Sequence, residues 1–262
     1  MDRTGGIGKS QLCLTLCVLA LLQHSSNKEI DDDAENGQVV YIDTEGTFNV
    51  DRIAQISKSR FPTLFSENDV IHQGALFQKM TERLVVVQIS NSLQLLDTLR
   101  ELDQNNYLIE NNVRLLIVDS ITTPIKLDFS SSSDASSRQK RLSSIASVLK
   151  FLSSSCLCPV IVTNQIVSHP KLNNQSSETV VTAALGVSWA HAVNTRYILQ
   201  MYQNDCHRIK IAKSAIFKCN HQWNYIINEC GVTIHPAAIV EEEGEGTMDV
   251  LKQHIRTNAM PI

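Results

Sequence analysis

Short apolar runs and helical patterns alternate along the first part of the chain. β-Branched apolar runs predict buried strands, and they cover Val39–Asp43, Leu84–Ile89, Leu115–Asp119 and Pro159–Gln165. Apolar residues with helical spacing predict helices over residues 11–22, 50–60, 92–110 and 138–154. Apolar strands that alternate with helices indicate an α/β fold, in which helices cover both faces of a mostly parallel sheet.

The C-terminal third has a different pattern. Short alternating runs with turns between them predict antiparallel strands over Thr195–Gln200, His207–Ala212 and Trp223–Ile227. Polar stretches at residues 130–137 and 167–180 predict loops. We therefore expect one core over residues 1–235 and an acidic, disordered tail over residues 236–262.

Composition limits the class of protein. The 262 residues are 43% hydrophobic and 19% charged, which suits one large or two small globular domains. No apolar run reaches the length of a membrane span, so we expect no membrane partner. The seven cysteines form no C-x-x-C pair, which favours reduced thiols in the cytosol or nucleus over disulfides or a zinc site. A net charge of −4 is not typical of a general polyanion binder, so any nucleic-acid contact would depend on local patches.

Near the start of the chain, residues 4–10 match most of the phosphate-loop pattern G-x-x-x-x-G-K-[ST]. Arg3 stands where the pattern has its first glycine. In such loops backbone N–H groups surround phosphate oxygens, the lysine reaches the outer phosphates and the hydroxyl binds Mg²⁺. The candidate nucleotide residues are Gly5, Gly6, Gly8, Lys9 and Ser10, with Ser10 also a candidate metal ligand.

The same region allows another interpretation. Basic Arg3 and Lys9 followed by the apolar run 12–22 are also typical of a secretory signal, although no A-x-A-like cleavage site follows. Under the phosphate-loop interpretation, a strand normally enters the loop, and only Met1–Arg3 precede it. We then expect the first strand to be missing, as after an alternative start or an incomplete gene prediction, and the chain to fold poorly or to need a partner strand.

Polar residues at the ends of the predicted strands are the next candidates, because ligands bind beyond the carboxyl ends of parallel strands. Asp119 has the form of a carboxylate that supports Mg²⁺, or it caps the following turn. In Asp43–Glu45 a carboxylate could polarise a water molecule, or both could cap the next helix. Asn164 and Gln165 could sense a terminal phosphate, or they could satisfy turn backbone.

Several of these segments, in their order and spacing, resemble the RecA-family recombinases of eukaryotes. The segments are Tyr41–Phe48, Leu115–Ser120, Val162–Ile166 and Trp189–Arg196. Residues 183–200 and Ile211–Ser214 look most like the B-type paralogue of the strand-exchange recombinase. The similarity runs from about residue 4 to residue 235. We expect the family's small helical N-terminal domain and its linker, which serve DNA contact and subunit pairing, to be absent from this chain.

The resemblance implies a RecA-like P-loop ATPase core that binds ATP and Mg²⁺. It implies that Lys9 and Ser10 bind phosphate and Mg²⁺, that Asp119 supports the metal, that Glu45 activates water and that Gln165 senses the γ-phosphate. It further implies two DNA-binding loops, near residues 126–141 and 167–186. Candidate DNA-phosphate contacts in the first are Arg138, Lys140 and Arg141, for which a solvated helix start is the alternative.

As to function, the resemblance implies a nuclear recombinase paralogue with weak, DNA-stimulated ATPase activity. Such a protein would act in homologous-recombination repair of double-strand breaks and in meiosis. Its partners would be single-stranded and branched DNA and other recombinase paralogues, the C-type above all, in a complex that assists filament assembly. The alternative is a scaffold subunit of the same complex that does not bind nucleotide, because the phosphate loop is incomplete.

Overall fold

The computed structural model describes most of the predicted core. The described residues are 6–22, 37–65, 70–131, 134–169, 180–183, 185–203 and 206–234. The predicted tail at residues 236–262 lies outside them, as does Gly5.

A parallel sheet forms the centre of the molecule. Its strands are β1 (Gln38–Asp43), β2 (Leu84–Gln88), β3 (Val113–Asp119) and β4 (Val160–Val162), in the order β2-β1-β3-β4. Successive side chains of β1 point to opposite faces of the sheet. Val39 and Tyr41 pack in the hydrophobic cluster on one face, and Val40 and Ile42 pack in the cluster on the other. Because both faces are covered, β1 and β3 appear in the sequence as continuous apolar runs.

Helices cover both faces of this sheet. One face packs against α1 (Lys9–Leu22), α2 (Val50–Arg60) and α3 (Val70–Glu82). The other face packs against α4 (Ser92–Gln104), α5 (Tyr107–Glu110), α6 (Thr122–Asp128), α7 (Ala135–Ser155) and α8 (Gly186–Ala192). No helix in these described ranges is long and apolar enough to cross a membrane.

The remaining strands are antiparallel. β5 (Ile166–His169) pairs with β6 (Val180–Ala183). A separate sheet has the order β10-β9-β8-β7 and is formed by β7 (Arg196–Gln203), β8 (Cys206–Lys213), β9 (Gln222–Asn228) and β10 (Gly231–Ile234). The predicted fold class, a mostly parallel sheet flanked by helices with antiparallel strands after it, is confirmed.

Several predicted boundaries were wrong. The helix predicted over residues 92–110 breaks after Gln104, because Asn106 adopts a left-handed conformation (φ 47°) that asparagine tolerates. The strand predicted over 159–165 keeps only Val160–Val162, which leaves Thr163–Gln165 free to act as a loop. The loop predicted over 167–180 contains most of β5 and the start of β6, since Val167–His169 and Val180 are part of a short antiparallel ladder.

Three helices were missed and one starts early. α3 contains Gly74 and polar residues that obscure its period, and α6 and α8 are too short for a period to appear. α7 begins at Ala135, inside the serine-rich stretch that was predicted to be a loop.

Helix α1 lies in the interior, between the central sheet and the β9–β10 hairpin. Its apolar residues, from Cys13 to Leu22, pack with Val39 and Tyr41 of β1. On the side of the hairpin, the Thr15 hydroxyl donates to the Gln11 carbonyl oxygen (2.7 Å) and accepts from the Val232 N–H (2.9 Å). The apolar run 12–22 is therefore a core helix, and the secretory interpretation is not supported.

Thr15 allows a test of this packing. Thr15→Val keeps the shape of the side chain but leaves the Val232 N–H without its acceptor, which should cost about 1–3 kcal/mol of unfolding free energy. Thr81→Val is the matched control, because the Thr81 hydroxyl only donates to carbonyls of its own helix, and it should cost about 0.5 kcal/mol or less. Urea unfolding measures both, and equal midpoints would show that the bond from Val232 does not stabilise the hairpin.

Candidate active site at the carboxyl ends of the strands

The Asp119 carboxylate lies at the point where three strands of the central sheet end. Its side chain is only 2% exposed. The Tyr41 hydroxyl donates to Oδ2 (2.7 Å), and the Thr163 hydroxyl donates to Oδ1. Burial, reinforced by the Asp119 charge, raises the pKa of Tyr41 well above its usual value, so the phenol stays protonated as a donor. Two neutral donors thus hold the predicted metal-supporting carboxylate in a fixed position.

A second buried carboxylate, Asp43, shapes the loop that follows β1. Its Oδ1 accepts from the N–H groups of Glu45 (3.1 Å), Gly46 (2.9 Å) and Thr47 (3.3 Å), and its Oδ2 accepts from the Phe48 N–H (3.0 Å). Gly46 has a φ of 67°, which lets the loop turn sharply around the carboxylate. Asp43 is therefore a loop organiser, the role that the sequence had left open for both acidic residues.

Glu45, by contrast, is exposed, and its carboxylate lies beside Gln165. Its Oε1 accepts from the hydroxyls of Ser120 (2.6 Å) and Thr123 (2.9 Å), and from Gln165 Nε2 (3.4 Å). The Gln165 Oε1 in turn accepts from Lys126 Nζ (2.9 Å). The structure therefore brings together the two residues that the sequence predicted to be catalytic.

Asn164, next to Gln165, stabilises the turn after β4. Its Oδ1 accepts from the Thr122 hydroxyl (2.7 Å), which also accepts from the Gln165 N–H (2.9 Å). This pair of bonds ties the end of β4 to the start of α6. The polar pair after β4 thus divides into a structural asparagine and a glutamine that faces the site.

Of the predicted phosphate-loop residues, Gly6, Gly8, Lys9 and Ser10 are described. Gly6 is exposed, and Gly8 has a φ of +88° and lies so close to Ile227 that a Cβ would clash with it. Lys9 and Ser10 open α1, and their side chains make no hydrogen bond or ion pair with any residue in the described ranges. Burial raises the pKa of the nearby Cys13 thiol, Asp119 raises it further and Lys9 lowers it. The Cys13 thiol therefore stays protonated near neutral pH.

The antiparallel sheet also contacts this loop. The buried Tyr225 of β9 donates its hydroxyl to the Ile7 carbonyl oxygen (2.7 Å). Its ring stacks on His207 of β8, with ring centroids 5.2 Å apart. The bond from Tyr225 to Ile7 joins residues more than 200 positions apart, so local sequence patterns could not indicate it.

The candidate DNA contacts lie in the first turns of α7. Arg138 and Lys140 are exposed. Arg141 is half-buried, and its Nη1 donates to the Ser92 hydroxyl (3.4 Å), so part of its role is structural. DNA contact by these residues stays a prediction. Residues 170–179, in the second predicted DNA-binding region, lie outside the described ranges.

The described groups fit a magnesium-bound nucleoside triphosphate. Lys9 and Ser10 offer an ammonium and a hydroxyl that no described residue uses. Asp119 is a hard oxygen ligand of the kind that Mg²⁺ prefers, either directly or through water. Glu45 lies on the same sheet edge with a fixed Oε1.

A comparison with known families decides the classification. Residues 3–234 match the Rad51 family, under the description "Rad51". The chain belongs to the Rad51 family. The RecA-like core that the resemblance implied is thereby confirmed.

Individual relatives agree with this assignment. The mouse protein "DNA repair protein RAD51 homolog 2" is 34% identical over 231 residues, which are 80% of this chain and 62% of the relative. The human protein of the same description is 31% identical over 249 residues, or 87% of this chain and 61% of the relative. "DNA repair and recombination protein RadA" of Methanococcus maripaludis strain C6 is 26% identical over 216 residues, covering 80% of this chain and 61% of the relative. The Rad51-family chain thus spans about three fifths of the length of the curated relatives it matches.

Some site residues of this Rad51-family chain were not predicted from its sequence. Ser120 and Thr123 donate to Glu45, and Thr163 donates to Asp119. Their positions just after β3 and β4 were a usable signal, because polar residues at these strand ends share one edge of the sheet. Hydroxyl residues are common in turns, however, and this blurs the signal.

Asp43 provides a test of the loop geometry. Asp43→Asn replaces one acceptor oxygen with an NH₂ group that faces backbone N–H donors, so it should lower the free energy of unfolding by about 1.5–3 kcal/mol. Asp51→Asn, at an exposed position in the first turn of α2, should cost less than about 1 kcal/mol. Urea titrations at neutral pH compare the two variants, and equal values would show that the loop does not depend on the Asp43 carboxylate.

Proposed function

We propose that this Rad51-family chain binds ATP and Mg²⁺ and hydrolyses ATP slowly, in a reaction stimulated by DNA. The observation that carries this proposal is the contact of Glu45 with Gln165 (3.4 Å), at the sheet edge where Asp119 is buried. The exposed Glu45 accepts three hydrogen bonds on a single carboxylate oxygen, from Ser120, Thr123 and Gln165. Such convergence of donors exceeds what a surface loop needs for its own stability. Polar side chains that converge at the carboxyl ends of parallel strands are typical of ligand sites in this class of fold.

The nucleotide would be held by Gly6, Gly8, Lys9 and Ser10. Lys9 would supply a positive charge and Ser10 a hydroxyl, and Asp119 would support the metal from the end of β3. Bound Mg²⁺ would neutralise phosphate charge during hydrolysis. The Tyr41 and Thr163 bonds keep Asp119 in one position, so no reorganisation of that side chain is required when the ligand binds.

Glu45 is proposed as the group that takes the proton of the attacking water. Its Oε1 is fixed by Ser120, Thr123 and Gln165, whereas its Oε2 accepts no hydrogen bond from the described residues. A carboxylate with one anchored oxygen and one open oxygen can hold water and accept its proton within hydrogen-bond distance. Gln165 connects this base to Lys126 on α6, and α6 leads into the region that resembles a DNA-binding loop.

The biological role proposed is homologous-recombination repair of DNA double-strand breaks, in the nucleus and in meiosis. The names of the relatives support it, among them "DNA repair protein RAD51 homolog 2" and "Meiotic recombination protein DLH1" of Candida albicans, which is 30% identical over 231 residues. The proposed partners are single-stranded and branched DNA and other recombinase paralogues, the C-type first. Arg138 and Lys140 are exposed cations suited to DNA phosphates. The net charge of −4 favours DNA binding by a complex over binding by this chain alone.

A second candidate function is that of a scaffold subunit that does not bind nucleotide. Arg3 favours it, because this residue replaces the first glycine of the phosphate-loop pattern. ATP titration of the unmodified chain distinguishes the two functions, since a scaffold of this kind would show no saturable binding in the presence of Mg²⁺.

Removal of the Lys9 ammonium tests the nucleotide site. Lys9→Ala should weaken ATP binding by about 2–5 kcal/mol, or roughly 30-fold or more, because a charged phosphate contact is lost. The fold should persist, since Lys9 makes no bond to other described residues. Lys58→Ala, at an exposed position on α2, is the control and should bind as the wild type does. Fluorescent-nucleotide titration measures all three proteins, and unchanged affinity in Lys9→Ala would refute the site.

The Glu45 carboxylate can be tested separately from binding. Glu45→Gln keeps an acceptor for Ser120 and Thr123 but removes the base, so ATP should still bind while turnover falls by about 10²–10⁴-fold. Glu101→Gln, an exposed change on α4, should leave turnover as it is. Phosphate release in the presence of single-stranded DNA gives both rates. Equal rates for wild type and Glu45→Gln would show that Glu45 only stabilises the loop.

A further inference from the structure

The Arg52 side chain connects three separate parts of the molecule. Its Nε donates to Gln11 Oε1 (2.8 Å) on α1. Its Nη2 donates to the Asn228 carbonyl oxygen (2.6 Å) at the end of β9, and its Nη1 lies 3.5 Å from the Glu229 carbonyl oxygen. Nη1 also donates to Gln55 on its own helix. All three guanidinium nitrogens therefore have acceptors, and together they fix the orientation of the planar head group.

The position of Arg52 along the chain relates it to the Glu45 loop. That loop, held by Asp43, ends at Asn49, whose side-chain oxygen accepts from the N–H groups of Asp51 (2.8 Å) and Arg52 (3.2 Å). The backbone of Arg52 is thus fixed to the C-terminal end of the loop that carries Glu45. Its head group, at the other end of a long side chain, reaches the residue that follows Ser10.

The acceptors of Arg52 are all uncharged. They are two backbone carbonyls and two side-chain amides, and no carboxylate pairs with Arg52 in the described ranges. An arginine used mainly for charge neutralisation would face a carboxylate. The Arg52 N–H groups instead donate to neutral acceptors on α1, on α2 and in the β9–β10 hairpin, so the side chain fixes the distances between these three elements.

We infer that Arg52 is a positioning residue that sets the distance between the Glu45 loop and the helix that begins with Lys9 and Ser10. This role rests on the proposed function, because it is the ATP site that these two segments would form. Without Arg52, the base-bearing loop and the phosphate-binding helix would each keep their own internal bonds. The direct connection through Gln11 would be lost, and the hairpin carbonyls of β9–β10 would lose a donor.

A matched control is available on the same helix. Arg60 Nη1 donates to the carbonyl oxygens of Cys230 (2.9 Å) and Val232 (3.2 Å). Arg60→Gln therefore loosens the contact of α2 with the same hairpin, but within the described ranges Arg60 donates no hydrogen bond to α1. Arg52→Gln loosens the hairpin and also the bond to Gln11. Any effect shared by the two variants reflects the hairpin, and any effect specific to Arg52→Gln reflects positioning.

The first experiment is hydrogen exchange of backbone amides in the nucleotide-free protein. Arg52→Gln should accelerate exchange roughly tenfold in peptides that cover residues 6–16 and 44–49, as expected for the loss of hydrogen bonds from a charged donor. Arg60→Gln should accelerate exchange only around residues 230–234. Equal acceleration of residues 6–16 and 44–49 in both variants, or none in Arg52→Gln, would overturn the inference.

The second experiment measures ATP binding and turnover at a temperature where all variants are folded. Arg52→Gln should lower kcat about tenfold while the Kd for ATP changes by less than about threefold, and Arg60→Gln should change neither. Gln11→Ala should reproduce the loss, and the double variant should be no worse than Arg52→Gln, because both changes break one connection. Arg52→Lys should resemble Arg52→Gln, since lysine keeps the charge but not the fork; full recovery in Arg52→Lys would refute positioning by geometry.

These two experiments separate the inference from the function on which it rests. If the wild-type chain binds no ATP, the proposed function fails, and the exchange measurement still decides whether Arg52 joins the two segments. If ATP binds and is hydrolysed but both arginine variants behave alike, the proposed function stands and the positioning role is rejected.

Discussion

The buried Asp119 carboxylate is the constraint on which the arrangement of the site depends. A carboxylate removed from water is costly unless donors replace its hydration. Here the donors are Tyr41 and Thr163, which come from β1 and from the residue after β4. A second tie joins the same strand ends, where the Thr44 hydroxyl donates to the Ser120 carbonyl oxygen and accepts from the Ser120 N–H. These bonds align the carboxyl ends of β1, β3 and β4. As a result, Glu45 and Gln165 lie within hydrogen-bond distance of each other.

The acidic residue that ends β1 and the one two positions later show why residue type alone cannot assign a role. Asp43 and Glu45 are two positions apart, and the sequence allowed either to be catalytic or structural. Asp43 is buried and collects backbone N–H groups, whereas Glu45 is exposed and collects side-chain donors. The difference arises from tertiary placement, because burial depends on where the loop lies over the sheet.

The parts of the fold that could be predicted are those that local physics dictates. β1 and β3 follow from apolar β-branched runs that are covered on both faces, and α1 follows from an apolar segment that opens with a phosphate-loop pattern. The helix break at Asn106 and the pairing of β5 with β6 could not be predicted, since one depends on a single left-handed residue and the other on long-range pairing. Gln165 was predicted at the site, but Thr123 was not, because α6 was unrecognised.

The antiparallel sheet is better understood as part of the candidate site than as a separate unit. Tyr225 binds the carbonyl of Ile7, Ile227 packs on Gly8, and the Val232 N–H bonds to Thr15. Each contact involves the phosphate loop or the first half of the helix that follows it. α1 has apolar residues on all sides, so it needs cover on the face away from the central sheet, and β9–β10 provides that cover. The packing requirement of one helix thus places a sheet from the end of the described chain against residues from its beginning.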